Sequence, residues 1–223
     1  MSERKMIYLC LAHMSEAGME QKYVKEAFDT NWVVPMGPNV NAFETDLANM
    51  ANSKLDGSKP LDRKVVCLSA GTAAVHLALI SCGVKAGDEV LVQSFTFCAS
   101  SHPITYLGAK PVFIDSERDT WNMDPELLEK AIIERKEATG QYPKAIIPVA
   151  LYGMPYDCEK IMAIADKYGI PVIEDAAEGM GSRFNGQVLG TFGRFGVLSF
   201  NGNKMITTSG GGALICRSAE DAN

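Results

Sequence analysis

The sequence predicts an α/β protein whose mostly parallel, seven-stranded sheet carries helices on both faces. Short apolar runs alternate with helix-length segments from residue 64 to residue 217. Strand–helix–strand connections of this kind are crossovers, which produce parallel sheets covered on both faces. Of the 223 residues, 47% are hydrophobic and 22% are charged, which is typical of a globular domain with a core of normal size.

Two helices and a loop are predicted before the first strand. Residues 15–29 have an amphipathic helical pattern, and residues 31–40, with two prolines and a glycine, interrupt it. A second helix is predicted at 41–52, and a polar loop follows. We assign residues 1–60 to this N-terminal helical part and residues 61–223 to the sheet and its helices, within one large domain.

The elements of the sheet follow in regular order. Asp124 caps a predicted helix whose first position is Pro125, where proline is favoured because no amide hydrogen is needed. Strands are predicted at 64–69, 88–94, 110–115, 144–151, 171–177, 195–200 and 211–217. Helices are predicted at 71–83, 124–140 and 157–169, and partly at 97–108.

Charge and cysteine content exclude several classes of function. The net charge is −6 and no basic block is present, which argues against a nucleic-acid-binding surface. The apolar run near the start is too short for a signal peptide or a membrane span. The cysteines have no metal-ligand or CxxC spacing, so we expect reduced, mostly buried thiols in a cytoplasmic protein. They are Cys10, Cys67, Cys82, Cys98, Cys158 and Cys216.

Ligands of such sheets bind beyond the carboxyl ends of the strands, and the first of these ends resembles an anion site. Ser69 is a candidate helix cap, and Gly71 and Thr72 present amide groups and a hydroxyl at the positive end of the helix. A plain cap and turn is the alternative. The GxGxxG dinucleotide fingerprint and the Walker lysine motif are both absent.

Two further strand ends carry ionisable side chains. Glu174 and Asp175 end a strand that should be buried, where a carboxylate needs a partner. The carboxylate either forms a salt bridge, caps a loop, or pairs with the cationic ring nitrogen of a bound cofactor. Lys204 follows another strand end, with Ser199 five residues before it. It is either a surface lysine beside a glycine turn or a nucleophilic amine partly removed from water.

A phosphate site, a carboxylate and a lysine at three strand ends of one sheet suit one cofactor, pyridoxal 5'-phosphate. Its phosphate needs an anchor, its ring nitrogen pairs with an acid, and its aldehyde forms a Schiff base with lysine. Phe97 is a candidate to stack on the ring, with a place in the hydrophobic core as the alternative.

Six ordered motifs resemble the DegT/DnrJ/StrS-type nucleotide-sugar aminotransferases, which are pyridoxal-phosphate enzymes of aspartate aminotransferase fold type I. The motifs, which extend over nearly the whole chain, are NWVVPMGPNVNAFE, LSAGTAAVHLAL, GDEVLVQSFTF, GAKPVFID, VIEDAAEGMGS and FGVLSFNGNKMITTSGGG.

The resemblance implies a role for each matching residue. Lys204 corresponds to the Schiff-base lysine and Asp175 to the acid that pairs with the ring nitrogen, which together are the catalytic residues. The remaining cofactor-binding positions are Gly71 and Thr72 in the phosphate-binding turn, Ser199 on the phosphate, Phe97 on the ring, and Glu178 near the ring hydroxyl, where the family often has glutamine or histidine.

The resemblance also implies a reaction. Glutamate donates its amino group to the cofactor, which then aminates a keto-sugar on a nucleotide diphosphate. SFNGNK and TTSGGG are most similar to members that act on UDP-linked 4-keto-6-deoxy-N-acetylhexosamines in glycan or surface polysaccharide synthesis. Lys204 argues against the dehydratase branch, which has histidine there. Family members are homodimers, in which residues 31–40 would be an interface loop.

The family is usually much longer than this chain, so we expect the chain to be incomplete and to lack the smaller C-terminal domain. Three alternatives remain open. They are another pyridoxal-phosphate reaction on the same fold, such as a lyase or desulfurase, a non-catalytic cofactor-binding or regulatory protein, and a nucleotide-binding domain without pyridoxal phosphate.

Overall fold

The computed structural model describes Met6 and residues 13–223. The predictions for the N-terminal segment and for Cys10 lie outside the described residues. Within the described part, no helix combines the length and apolar character that crossing a membrane requires.

Two helices precede the sheet, as the sequence predicts, with shifted starts. Helix α1, Met19–Asp29, contains no buried residue, whereas α2, Pro38–Asn52, buries Leu47 and Ala51. Helix α2 begins earlier than predicted because Pro38 occupies its first turn, where the fixed φ of proline suits a helix. Helix α2 packs on the first strand of the sheet and so connects the N-terminal part to the core.

All seven predicted strands form. The strands are β1 Lys64–Leu68, β2 Glu89–Gln93, β3 Lys110–Ile114, β4 Ala145–Ile147, β5 Ile173–Asp175, β8 Phe195–Ser199 and β9 Gly212–Cys216. The ladder pairings give one sheet in the order β1-β9-β8-β5 and another in the order β3-β2-β4. Isolated parallel bridges at Ile146–Val172 and Val149–Asp175 connect the two into one sheet.

The sheet is mixed, which corrects the predicted mostly parallel arrangement at one strand. The pairs β2–β3, β2–β4 and β5–β8 are parallel, but β9 is antiparallel to both β1 and β8. The segment 200–211 between β8 and β9 contains no helix. Because a parallel return requires a crossover connection, β9 returns antiparallel.

Helices cover both faces of the sheet, as predicted. The helices are α3 Gly71–Ser81, α4 His102–Tyr106, α5 Pro125–Thr139 and α6 Cys158–Tyr168. One hydrophobic cluster joins the sheet to α2, α5 and α6, and a second joins it to α3 and α4. Strand β2 contributes to both, since Leu91 lies in the first cluster and Val90 and Val92 lie in the second.

A hairpin and a final helical turn are among the elements that were not predicted. A short hairpin pairs β6, Arg183–Phe184, with β7, Gln187–Val188, and a final turn of helix, α7, spans Ala219–Ala222. Both are too short to produce a periodic hydrophobic pattern. The predicted cap of α5 is confirmed, because the Asp124 side chain accepts from the amides of Glu126 and Leu127.

The start of β9 lies directly against the start of α3. Ala70 and Gly211 form a parallel bridge, and a Cβ on Gly212 would lie 2.4 Å from the Ala70 carbonyl carbon and the Gly71 nitrogen. Real Cβ atoms do not approach backbone this closely, so only glycine fits at this position.

We expect Gly212→Ala to destabilise the protein by about 3 kcal/mol, because the new methyl group must push two backbone segments apart. Urea unfolding followed by circular dichroism measures the effect. Gly202→Ala is the matched control, since its Cβ would meet no atom within 4 Å. Equal unfolding midpoints for the two variants would contradict the close approach of β9 to α3.

Candidate active site

A cavity of about 670 Å³ opens at the carboxyl ends of the strands. Its size is that of an ordinary small-molecule site. The structure brings every sequence-predicted site residue to its wall. These residues are Gly71, Thr72, Phe97, Asp175, Glu178, Ser199 and Lys204.

The amino end of α3 faces this cavity without a side-chain cap. The predicted cap by Ser69 is wrong, because the capping position belongs to Ala70, which is extended and offers no side-chain acceptor. A Cβ on Gly71 would lie 3.0 Å from the Ser199 Cβ and 3.4 Å from its Oγ, so the Ser199 hydroxyl lies beside the first turn. Uncapped amides and a nearby hydroxyl at the positive end of a helix form a good site for a phosphate.

Asp175 ends β5 and is buried at the inner wall of the cavity. Its Oδ2 accepts from the Ser100 hydroxyl at 2.5 Å, and its Oδ1 accepts from the Ala177 amide at 3.2 Å. Burial raises the pKa of the Asp175 carboxyl, and these two hydrogen bonds and the charge of Lys204 act in the opposite direction. The carboxylate is therefore held in a place where a cationic partner would stabilise it.

Glu174 does not take part in the same site, although it precedes Asp175 in the chain. Its carboxylate accepts from the amides of Gly190, Phe192 and Gly193 and so holds the loop before β8. Adjacent residues of a strand point to opposite faces. Of the alternatives considered for these two acids, Glu174 is thus the loop cap and Asp175 faces the cavity.

Lys204 is paired with Glu178 at the cavity wall. The Lys204 Nζ lies 3.2 Å from the Glu178 Oε1, and the side chains are 14% and 29% exposed. The other carboxylate oxygen of Glu178 accepts from the Tyr152 amide at 2.8 Å. The interpretation of Lys204 as an ordinary surface lysine is therefore wrong, since its side chain is largely removed from water.

Phe97 projects into the mouth of the cavity and is 75% exposed. Its alternative place in the hydrophobic core is therefore wrong. An exposed aromatic ring at the mouth of a cavity is suited to stack on a planar ligand.

Three residues near the site were missed by sequence reasoning. Ser100 contacts Asp175, Thr96 contacts Ser100, and Tyr152 donates its amide to Glu178. Tyr152 also has a φ of 51°, which is uncommon for a non-glycine residue and frequent in functional turns. Serine and threonine in a loop carry no distinguishing pattern, so the sequence contained no signal for these contacts.

The sheet with its two helical layers and the cavity at the strand ends define an α/β protein of the aminotransferase fold. The crystal structure of a DegT DnrJ EryC1 StrS aminotransferase from Brucella abortus superimposes with a TM-score of 0.79 at 32% sequence identity, covering 94% of this chain and 57% of that one. The chain belongs to the DegT/DnrJ/EryC1/StrS aminotransferase family, whose model matches residues 15–223. The family assignment made from the sequence motifs is thereby confirmed.

Two curated relatives illustrate the similarity. The chain is 53% identical over 211 residues to the "Putative pyridoxal phosphate-dependent aminotransferase EpsN" of Bacillus subtilis, covering 95% of this chain and 51% of the relative. It is 38% identical over 210 residues to the GDP-perosamine synthase of Escherichia coli O157:H7, covering 94% of this chain and 53% of that relative. The chain thus spans about half the length of these relatives.

We expect Asp175→Asn to stabilise the cofactor-free protein at neutral pH by about 1 kcal/mol. Burial raises the pKa of Asp175 in the folded state. The free energy of unfolding therefore falls as the pH rises from the ordinary pKa of aspartate through this raised pKa. Below the ordinary pKa of aspartate both states are protonated and the advantage of asparagine disappears. The asparagine can accept from Ala177 and donate to Ser100, which leaves no buried group unpaired.

Urea unfolding of both proteins at pH 7.5 and at progressively lower pH measures this difference. Asp46→Asn, on the exposed side of α2, is the control and should change stability by less than about 0.5 kcal/mol. A less stable Asp175→Asn variant at pH 7.5 would show that the carboxylate stabilises the folded chain.

Proposed function

We propose that the chain forms the cofactor-binding part of a pyridoxal-phosphate-dependent aminotransferase that moves an amino group from glutamate to a nucleotide-linked keto-sugar. The observation that carries the proposal is the convergence of Lys204, Asp175 and the uncapped start of α3 on one cavity. In this reading residues 61–223 are the cofactor-binding large domain, and residues 1–60 are its N-terminal part.

The residues at the start of α3 bind the phosphate of the cofactor. The amides of Gly71 and Thr72 donate to its oxygens, and the Thr72 and Ser199 hydroxyls add further donors. The proximity of Gly71 to Ser199 supports this assignment, because both residues line the same part of the cavity wall.

Asp175 and Phe97 hold the ring. The Asp175 carboxylate keeps a proton on the ring nitrogen, and the positive charge gained there offsets the cost of burying the carboxylate. Phe97 packs on one face of the ring. Pyridoxal phosphate, when bound, supplies a reactive carbonyl and a ring that withdraws electrons from the reacting carbon.

Lys204 is the nucleophile and the group that moves the proton. Its Nζ would hold the cofactor covalently, and the same amine, when free, would be placed to accept and return a proton. Glu178 orients Lys204 through the 3.2 Å contact, and the Tyr152 amide fixes Glu178 in turn. This contact gives Glu178 a role toward the lysine, in addition to the position near the ring hydroxyl that the family resemblance implies.

The proposed enzyme acts as a homodimer on a UDP-linked 4-keto-6-deoxy-N-acetylhexosamine, in cytoplasmic synthesis of a glycan or surface polysaccharide. Exposed apolar side chains in the segment 31–40 support the dimer, since apolar patches of this kind mark contact surfaces. These are Trp32, Val33, Val34 and Met36. The name of the perosamine synthase relative contains GDP, so the nucleotide is a specific point to test.

We expect the protein mixed with pyridoxal phosphate to gain a visible absorbance band that requires the Lys204 amine. Glutamate should then bleach the band, because the amino group passes to the cofactor. Lys204→Ala should not form the band, while Lys160→Ala, which removes an exposed lysine paired with Asp157 on α6, should behave as the unaltered protein.

Absence of the band in the unaltered protein would refute the assignment of Lys204. A band that glutamate, other amino donors and cysteine all leave unchanged would indicate a cofactor-binding protein without transfer activity. Release of sulfur from cysteine, or elimination without amino transfer, would indicate a desulfurase or lyase.

We expect the glutamate-treated protein to regain the band when a UDP-linked 4-keto-6-deoxy-N-acetylhexosamine is added, because amino transfer to the sugar restores the original cofactor. The GDP-linked 4-keto-6-deoxyhexose is the comparison substrate, and mass spectrometry identifies the amino sugar. Faster recovery of the absorbance band with the GDP-linked sugar than with the UDP-linked sugar would contradict the proposed UDP-sugar specificity. It would leave the aminotransferase assignment intact.

A further inference from the structure

Two hydroxyl groups lie behind the Asp175 carboxylate. Ser100, in the short 3-10 turn Cys98–Ser100, is 1% exposed, and its Oγ lies 2.5 Å from the Asp175 Oδ2. The same Oγ lies 2.8 Å from the Thr96 Oγ1. Thr96 and Asp175 line the cavity, whereas Ser100 contacts both from the protein side.

The number of hydroxyl protons determines the direction of these hydrogen bonds. An ionised carboxylate can only accept, and a serine hydroxyl has one proton. Ser100 therefore donates to Asp175 and has no proton left for Thr96, so Thr96 must donate to Ser100. The chain of donors runs from Thr96 to Ser100 to Asp175 as long as the carboxyl is ionised.

We propose that Ser100 is a positioning residue that keeps the Asp175 carboxylate ionised and oriented by donating its hydroxyl proton to Oδ2. The inference rests on the proposed function, in which an ionised Asp175 holds the proton on the ring nitrogen of the cofactor. Ser100 does not contact the cofactor and acts through Asp175.

The other groups around Asp175 show why this donor matters. Burial and the negative charge of Glu178 favour the neutral carboxyl, while the Ala177 amide and the charge of Lys204 favour the ionised form. Lys204 is also engaged by Glu178, so its charge is shared between two carboxylates. The Ser100 hydroxyl is the donor to Oδ2, and its removal would leave that buried oxygen unsatisfied.

The hydrogen bonds of Ser100 also position the loop that carries Phe97. Phe97 lies between Thr96 and Ser100 in the chain, and the Ser100 amide donates to the Phe97 carbonyl at 3.1 Å. The hydrogen bonds that join Thr96, Ser100 and Asp175 therefore also fix the loop that presents Phe97. Ser100 connects the loop after β2 with the end of β5.

The direct test is a titration of the Asp175 carboxyl by ¹³C NMR in cofactor-free protein, with Asp175→Asn used to assign the resonance. We expect Ser100→Ala to raise the titration midpoint. Ser100→Thr keeps a hydroxyl group and should return the titration midpoint to that of the unaltered protein. Thr96→Val should leave it close to that of the unaltered protein, because Ser100 can still donate to Asp175.

Ser101→Ala is the matched control. Its hydroxyl donates to the Cys98 carbonyl, so its loss should leave the midpoint unchanged. If Ser100→Ala does not fold, Ser100→Cys provides the same comparison, since a thiol is a weaker donor and should also raise the midpoint. A midpoint that rises no more in Ser100→Ala, or in Ser100→Cys where it replaces Ser100→Ala, than in Ser101→Ala would overturn the proposal.

Binding of pyridoxal phosphate separates this inference from the proposed function. We expect Ser100→Ala to bind the cofactor about tenfold more weakly at pH 6, with a smaller loss at pH 8, because the carboxyl ionises as the pH rises. If the NMR midpoint rises but neither Ser100→Ala nor Asp175→Asn weakens cofactor binding, the positioning role stands and the cofactor role of Asp175 fails.

Discussion

A carboxylate buried at the end of a central strand is the constraint on which the rest of the site depends. Asp175 lies in β5, between β8 and the extension of β4, and is only 6% exposed, so water solvates its charge poorly. Such a group is neutral unless donors and a cation surround it. Ser100, the Ala177 amide and Lys204 meet this requirement only in part, since burial still raises the pKa of the carboxyl. A cationic ligand would further stabilise the ionised form.

The sheet brings these groups together because its strands end at one edge. Asp175 ends β5, Ser199 ends β8 and Lys204 follows it, and the start of α3 follows β1. Strand β9 returns antiparallel and reaches the start of α3 at Gly212, where no side chain fits. The contact between backbones fixes the first turn of α3 at the cavity, so a glycine that contributes no side chain helps to determine where an anion can bind.

The sequence predicted the seven strands and singled out seven residues that line the cavity, but it did not predict the contacts between them. Strands buried on both faces appear as continuous apolar runs, so β2 and β8 were found to within one residue of their observed bounds, whereas β5 was predicted two residues too long at each end. The residues at the strand ends were found through their chemistry and the family motifs. The separation of Glu174 from Asp175 follows from strand alternation and could have been predicted.

Other features depend on tertiary packing, which has no local signal. Ser100 and Asp175 are 75 residues apart, and their contact requires the loop after β2 to reach β5. The shift of the α3 cap from Ser69 to Ala70 depends on the bridge between Ala70 and Gly211. The direction of β9 depends on the helix-free connection 200–211, which resembles any glycine-rich loop in the sequence.

The distribution of charge along the cavity wall is consistent with a ligand that has an anionic end and a cationic end. The charged residues among the described lining residues are Asp175, Glu178 and Lys204, two acids and one base. A phosphate cannot be neutralised by Lys204 alone, which is already paired with Glu178. It must therefore rely on the neutral donors at the start of α3, where the helix dipole supplies the positive potential. The excess acid, Asp175, is left for a cation. A pyridinium ring with a phosphate arm satisfies both ends, whereas a ligand with phosphate alone would leave Asp175 uncompensated.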